Sequence, residues 1–556
     1  MKKYNLFKVI AITVIVAWLL TLMIPGSSVD YSGNITATSV AGGGIFGLLS
    51  NLGISISYFN GIAVLLISVA CLYAVLEKVS VYENFVCKVT KLFENKKGLF
   101  ITLTIILFGI LSMLINDFMI LLVFVPFIYK VMGTLEIDKK VMLSSTLVAA
   151  LIGAMCCIYN STLFSMFSLS INTLLLVKVI LFVVSIAVLI ILIAPKKEVK
   201  LSKKQAKLSK KEEKTKVVQT VSPKTNTKKV NKIAYAILTI LFGSFGINKM
   251  YAGQIKSGVL RLLFCWTLIP SILSVAEFIT ILTEKSDKNG KIDVISKRRQ
   301  NVSFAVLLII FVLFVIGCAI PWESLINKLT IFTDLNIKLS ELKIGQYSLF
   351  NNIIGAPVVK DATYGTTTGV IGIFGTWTTL DLSLLLFVIT LIIAIANNLK
   401  VNEFIAIITS GTKKILPVAL TAMLISIVLI MMVTTGVNIT ITNFILSLTK
   451  GFNIVTSTIA SLVGSLLTAD FYYFTSTVGS VFSSVITNKD YYGVVAFILQ
   501  TIYNFAMLVA PTSVGLVIGL YYLNIPYDKW LKHIWKLLAI LFVTIIITVI
   551  IMYVLI

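Results

Sequence analysis

Residues 466–479 read LLTADFYYFTSTVG and 112–126 read SMLINDFMILLVFVP, so Asp470 and Asp117 each precede a phenylalanine within an apolar run. An aspartate at the centre of a membrane helix costs about 2.5–3.5 kcal/mol on insertion scales, so each needs a compensating partner. No lysine or arginine lies in 451–488, which leaves a bound cation or a proton to supply the charge missing beside Asp470. Tips rich in oxygen suit a hard cation such as Na+, and a lone carboxylate suits a proton. Asp117, Asp470, Thr475, Ser476 and Thr477 are therefore the candidate coupling-ion residues. The plainer alternative for either aspartate is a helix cap that accepts backbone N–H bonds.

Two other hydrophobic stretches are interrupted in the same manner. Segment 141–170 breaks at Tyr159-Asn160-Ser161-Thr162, and 492–523 breaks at Ala510-Pro511-Thr512-Ser513. Backbone groups in hydrocarbon must be satisfied, so such breaks are tolerated only inside protein or along a cavity. Amides freed at a half-helix N-terminus favour an anion, and freed carbonyls favour a cation. Asn116, Asn160, Ser161, Thr162, Asn504, Thr512 and Ser513 are the candidate substrate-binding residues, Asn504 serving equally well as a helix–helix hydrogen bond. Tyr472 and Tyr473 read as packing or interfacial residues.

The elements that position these groups are membrane helices. The chain is 58% hydrophobic and only 13% charged, with a mean hydropathy of +1.00. Stretches such as 302–320 and 536–556 reach the ~20 apolar residues that cross a bilayer. The apolar run at 7–25 has no small-residue cleavage site after it and reads as a first membrane helix, not a signal peptide. A net charge of +24 raises the question of nucleic acid, but thirteen lysines against three glutamates fall in 196–229 alone. Most other positive charge lies in short loops, where it orients the protein. Six cysteines show no metal-ligand spacing, and His533 is the one histidine, which argues against histidine-based metal or triad chemistry. No nucleotide-binding loop is present, so ATP drive is not expected, and the single histidine weighs against a membrane-embedded enzyme.

The order of elements repeats. Helices 6–24 and 58–76 lead to a hairpin with arms 99–114 and 118–133 around Asn116-Asp117. The broken helix 141–170 and helix 172–194 follow. After helix 302–320 and an outer segment 321–378, helices 380–397 and 415–434 lead to a second hairpin, 453–487. The broken helix 492–523 and helix 536–556 complete the second half. Basic flanks put both ends of the first hairpin in the cytoplasm, which makes it re-entrant with Asn116-Asp117 at its tip, and helix 302–320 reverses the direction of every matching element in the second half. The expected fold is an all-α polytopic membrane protein, an inverted repeat with two re-entrant hairpins and two broken helices. Its parts are a first transport repeat (1–194), a Lys-rich cytoplasmic linker (195–230), a two-helix domain (231–283), a basic linker (284–300), and a bridging helix with the second repeat (301–556). The N-terminus and linker are expected inside and Ile556 outside.

INDFMILLVFVP resembles the first-hairpin pattern of the ion-transporter superfamily of secondary carriers, in which an asparagine, often followed by aspartate, precedes a proline: here Asn116, Asp117 and Pro126. LLTADFYYF is similar to the second-hairpin stretch of the citrate carriers, with Asp470 as the matching acid. APTSVGLVIGLYYLNIPYDKWLK resembles the end of the C4-dicarboxylate anaerobic-carrier branch. That branch has a Ser-Gly-rich second tip and Asn-Pro-Phe in its first broken helix, where this chain has TADFYYFTS and Asn160-Ser161-Thr162. Residues 231–283 resemble the small bacterial two-transmembrane-helix (TM-two) domain at Phe245-Gly246, Tyr251, Gly253, Gly258, Trp266–Pro270 and Glu277. Asn248-Lys249-Met250 stand for its usual His-Arg-Phe.

The resemblance implies a secondary active transporter in a bacterial plasma membrane. It would move a di- or tricarboxylate, coupled to Na+ or H+, by alternating access. Two buried acids also suit an amino acid carrier, including one for basic amino acids. A non-transporting membrane scaffold or sensor is the alternative of another class, but it has no use for buried acids at matching places. No cofactor beyond Na+ is expected. The partners are a small-molecule substrate and the lipid bilayer, a homodimer being allowed and nucleic acid excluded.

Overall fold

The computed structural model describes residues 6–30, 32–40, 44–58, 60–115, 117–193, 229–263, 269–294, 311–326, 377–397 and 399–556, with isolated positions between 329 and 375. Five helices among them are long and apolar enough to cross a bilayer: Leu6–Met23, Lys97–Leu114, Ile171–Ile193, Val401–Thr435 and Tyr527–Val554. From Leu174 on, the exposed face of Ile171–Ile193 is as apolar as its buried one. On Ile171–Ile193, Leu176, Val183 and Ile191 face outward while Leu174, Leu181 and Leu189 are buried. A helix apolar all round belongs where both protein and surroundings are apolar. The protein is an all-α membrane protein, and its described strands are short two-stranded pairs.

The helices break at all four places where the polar interruptions stand. Lys97–Leu114 gives way at Ile115–Asp117 to a 3-10 turn, Phe118–Val123, and then to Val125–Thr134. Helix from Lys139, carrying a π turn at Ser144–Val148, ends at Met155 and resumes as Ser161–Met166. In the second half Ile454–Leu467 gives way at Thr468–Asp470 to Phe471–Phe474, a π turn Thr475–Gly479, and Ser480–Val485. Tyr492–Met507 breaks and resumes as Val514–Leu523. The 14-residue arm Ile454–Leu467 is about 21 Å long, short of the ~30 Å hydrocarbon core.

Three stretches depart from expectation. Residues 398–414 were expected to connect two helices, yet they lie mostly within one helix of 35 residues, Val401–Thr435, about 52 Å long and passing through Pro417. Ile407, Gly411, Ile415 and Val418 recur at helical spacing on its buried face. A Cβ added at Gly411 would stand 2.8 Å from Ala74 Cβ on Asn60–Leu76, so the two backbones run close together. A helix Gly44–Tyr58 precedes Asn60–Leu76, where one helix from 58 was expected. Ser80–Phe93 is amphipathic, burying Tyr82 and Val86, in place of a plain loop. The linker over 195–228 lies outside the described residues, as do 302–310 of the bridging helix, which is helical over 311–319, and most of 321–378.

The two-helix domain is a small bundle closed at its base. Lys232–Phe242 and Ile269–Thr283 pack together, with the short helices Ile247–Tyr251 and Ile255–Leu263 between them. Strands Lys229–Asn231 and Lys291–Asp293 pair antiparallel, Lys229 opposite Asp293. Lys232 Nζ adds a bond of 2.8 Å to Glu284 O. In the adjoining turn the Lys291 amide holds the Asp287 carboxyl below its usual range. Glu277 receives Arg261 Nη2 at 2.9 Å, Lys249 Nζ at 2.5 Å and Asn248 Nδ2 at 3.0 Å. Two of the positive charges between the helices, Lys249 and Arg261, thus converge on one carboxylate.

Candidate functional site

Each of the four interruptions opens a new helical turn, and a side-chain oxygen caps each one. Asp117 accepts from Met119 N at 2.9 Å, Asn160 from Leu163 N at 3.1 Å, Asp470 from Tyr473 N at 3.0 Å, and Ser513 from Leu516 N at 3.4 Å. Such caps satisfy amides that have no partner inside the helix. The anticipated cap is therefore present at both aspartates, and it occupies one carboxylate oxygen of each.

The spacing is the same in both halves. Forty-three residues separate Asp117 from Asn160, and forty-three separate Asp470 from Ser513. Each break is bonded to the hairpin of its own half at the carbonyl four residues before the aspartate. Ile158 N donates to Met113 O and Thr512 Oγ1 donates to Leu466 O, both at 3.0 Å. Packing then crosses between halves. Ser161–Met166 lies against the turn Thr475–Gly479. A Cβ at Gly479 would meet Met166 Sδ at 3.0 Å, so glycine is what admits it. Reciprocally, Gly515 on Val514–Leu523 faces Phe118 and Met119 beside the first tip. Asp117 and Asp470 are both half-buried. The Tyr503 ring is 4.9 Å from that of Phe471 and 5.0 Å from that of Phe474. Among the described residues, no lysine or arginine forms an ion pair with either aspartate.

The other anticipated residues are placed as follows. Thr475, Ser476 and Thr477 form the π turn after the second tip, and their hydroxyls donate to backbone carbonyls of the preceding turn. Thr477 Oγ1 also receives Asn438 Nδ2 at 2.7 Å, and the same amide reaches Thr468 Oγ1 at 3.2 Å, bracing the tip. Asn504 is buried and donates to Gln500 O at 2.9 Å, within its own helix. Ser161 is exposed and Thr162 half-buried, just after the Asn160 cap. Asn116 lies outside the described residues.

Sequence reasoning missed the groups on the carbonyl ends of the broken helices. Lys178 Nζ donates to Cys157 O at 2.8 Å and to Gln500 Oε1 at 2.7 Å. Gln500 Nε2 covers Ala154 O and Cys157 O, both at 3.0 Å. At the second break, Trp530 Nε1 donates to Leu508 O at 3.0 Å and Tyr527 Oη to Val509 O. A lone lysine within LLLVKVILFVV was the available signal for the first of these.

A cavity of about 460 Å³ starts at Phe118 and Met119 beside the first tip. Tyr73, Tyr129 and Tyr522 wall it, and Glu77 and Lys130 stand at its charged end. Lys130 pairs there with Glu77 at 3.4 Å and with Glu83. The cavity is mostly apolar, with few polar groups to fix a ligand, which is the usual composition of a small-molecule pocket.

Comparison with known proteins reaches one part of the chain. Residues 228–279 match the TM2 domain family. Over 54 residues, 10% of this chain, it is 52% identical to an uncharacterized membrane protein, YozV of Bacillus subtilis (strain 168), covering 68% of that protein. No solved structure matches the chain.

Proposed function

The chain belongs to the TM2-domain family of membrane proteins through residues 228–279, and for the remainder we propose a secondary active transporter, built as an inverted repeat in a bacterial plasma membrane. The observation that carries this reading is the matched geometry of the interruptions. Two tips and two breaks share a 43-residue spacing, side-chain caps and crossed packing. Broken helices at a repeat interface are where such carriers bind substrate and coupling ions. In this reading the amides at Asn160 and Ser513 face a small organic anion, and Asp117 and Asp470 take Na+ or H+.

A second reading, carriage of a basic amino acid, is favoured by two half-buried carboxylates that form no ion pair with lysine or arginine among the described residues. Uptake and thermal-shift assays of purified protein against di- and tricarboxylates and amino acids, with and without Na+, separate the two. A Na+-dependent shift with a carboxylate supports the first reading, and a Na+-independent shift with a basic amino acid supports the second. No response to any of them, with no uptake, counts against transport.

The repeat also requires an odd number of crossings between the linker and the last helix. A single cysteine at Ser209 and one appended after Ile556 are expected to label from opposite faces, and labelling from the same face removes the inverted repeat. The tips and breaks all lie outside the TM2 domain, whose two ends meet at the strand pair. Replacing 196–300 by a short polar linker is therefore expected to leave uptake largely intact. Complete loss of uptake in a deletion that still inserts and folds would tie the domain to transport.

A further inference from the structure

Lys178 sits in the middle of the spanning helix Ile171–Ile193, yet it is 0% exposed, and Gln500 beside it is 1% exposed. We propose that the Lys178 ammonium is a built-in cation filling the carbonyl cage at the end of the first broken helix, a place that without it takes a monovalent metal ion. The last carbonyls of a helix carry partial negative charge and lack intrahelical partners. Inside a bilayer no water relieves them. Cys157 O and Gln500 Oε1 form such a cage and the ammonium bonds both, while Gln500 Nε2 braces it by donating to Cys157 O and to Ala154 O, which also accepts Cys157 N. The Phe164 ring lies 5.2 Å from the nitrogen and adds a cation–π face.

No carboxylate among the described residues bonds Lys178, whose hydrogen-bond acceptors among them are the neutral dipoles of Cys157 O and Gln500 Oε1. The second half shows that charge is not needed merely to close such a cage. Lys178 lies 18 residues after the cap Asn160, and Trp530 lies 17 after the cap Ser513. Trp530 and Tyr527 close the second cage with neutral donors. Burying an ammonium is costly, so its use in one half only points to the charge itself as the required feature. It follows that an exchangeable coupling ion is confined to the face bearing Asp117 and Asp470. That last step alone rests on the transport reading, and replacement of Asp470 tests it separately.

The test is equilibrium binding of 22Na+ to the purified full-length protein, together with melting in choline, sodium and propylammonium chloride. Lys178→Ala is expected to bind one more Na+ per chain than the wild type. It should melt lower in choline and recover at least half of the loss in Na+ or propylammonium. Lys178→Met, which fills the volume without charge, should melt lower and show no such recovery. Equal Na+ stoichiometry in wild type and Lys178→Ala overturns the proposal, as does a Lys178→Met protein as stable as the wild type. If Lys178→Ala does not fold, Lys178→Ser, whose hydroxyl adds an oxygen to the cage, reads the same stoichiometry.

Discussion

Asp470→Asn is expected to abolish ion-driven accumulation in proteoliposomes while leaving expression and the second hairpin intact. Asparagine caps a helix about as well as aspartate, so the bond from Tyr473 N at 3.0 Å survives. Only the charge is lost. One coupling charge moved through 100 mV supplies ~2.3 kcal/mol, about 50-fold in accumulation, and the variant should fall to the level set by equilibration. Asp470→Ala loses the cap as well and should cost about 1 kcal/mol of stability in addition. Asp117→Asn should mimic Asp470→Asn if the ion is shared between the tips, and should change stability alone if Asp117 is only a cap. Accumulation by Asp470→Asn with unchanged Na+ and pH dependence would falsify the assignment and leave the carboxylate structural.

Glu277→Leu is expected to loosen the TM2 domain as a unit. The substitution removes the carboxylate that Lys249 and Arg261 share, and both cations are largely buried, with side chains 14% and 9% exposed. Breaking a buried ion pair by deleting one partner costs about 3–5 kcal/mol. Hydrogen exchange should lose protection over Lys232–Phe242 and Ile269–Thr283 while the hairpins and broken helices keep theirs. Replacing all three charges together, with Lys249→Met and Arg261→Leu, should restore most of it, because a well-packed apolar set can match a buried ion cluster. Unchanged exchange in Glu277→Leu would show that the cluster contributes nothing to the domain.

The interruptions were legible because a polar residue in hydrocarbon is rare and needs a reason. Asp117, Asn160, Asp470 and Ser513 were all among the residues singled out, and all four begin a helical turn. Their partners were not legible, since Met119 N or Leu516 N are backbone groups that no residue type announces. Lys178 escaped notice because one lysine barely lowers the hydropathy of a 23-residue apolar helix. Lys413 and Lys414 misled in the opposite direction, breaking up what is a continuous 35-residue helix. Within the TM2 domain, Asn248-Lys249 looked like a weakened His-Arg. Both side chains nevertheless bond Glu277, a contact that the letters alone do not announce.

The strand pair that puts Lys229 opposite Asp293 has a consequence for how the chain is laid into a membrane. Two hydrogen-bonded strands must lie on one side, so everything between them crosses an even number of times, whether two or none. The domain cannot change the parity of the crossings around it, whatever depth it takes. Its gain or loss leaves every later helix facing as before, and any reversal between the halves falls to the chain after Asp293.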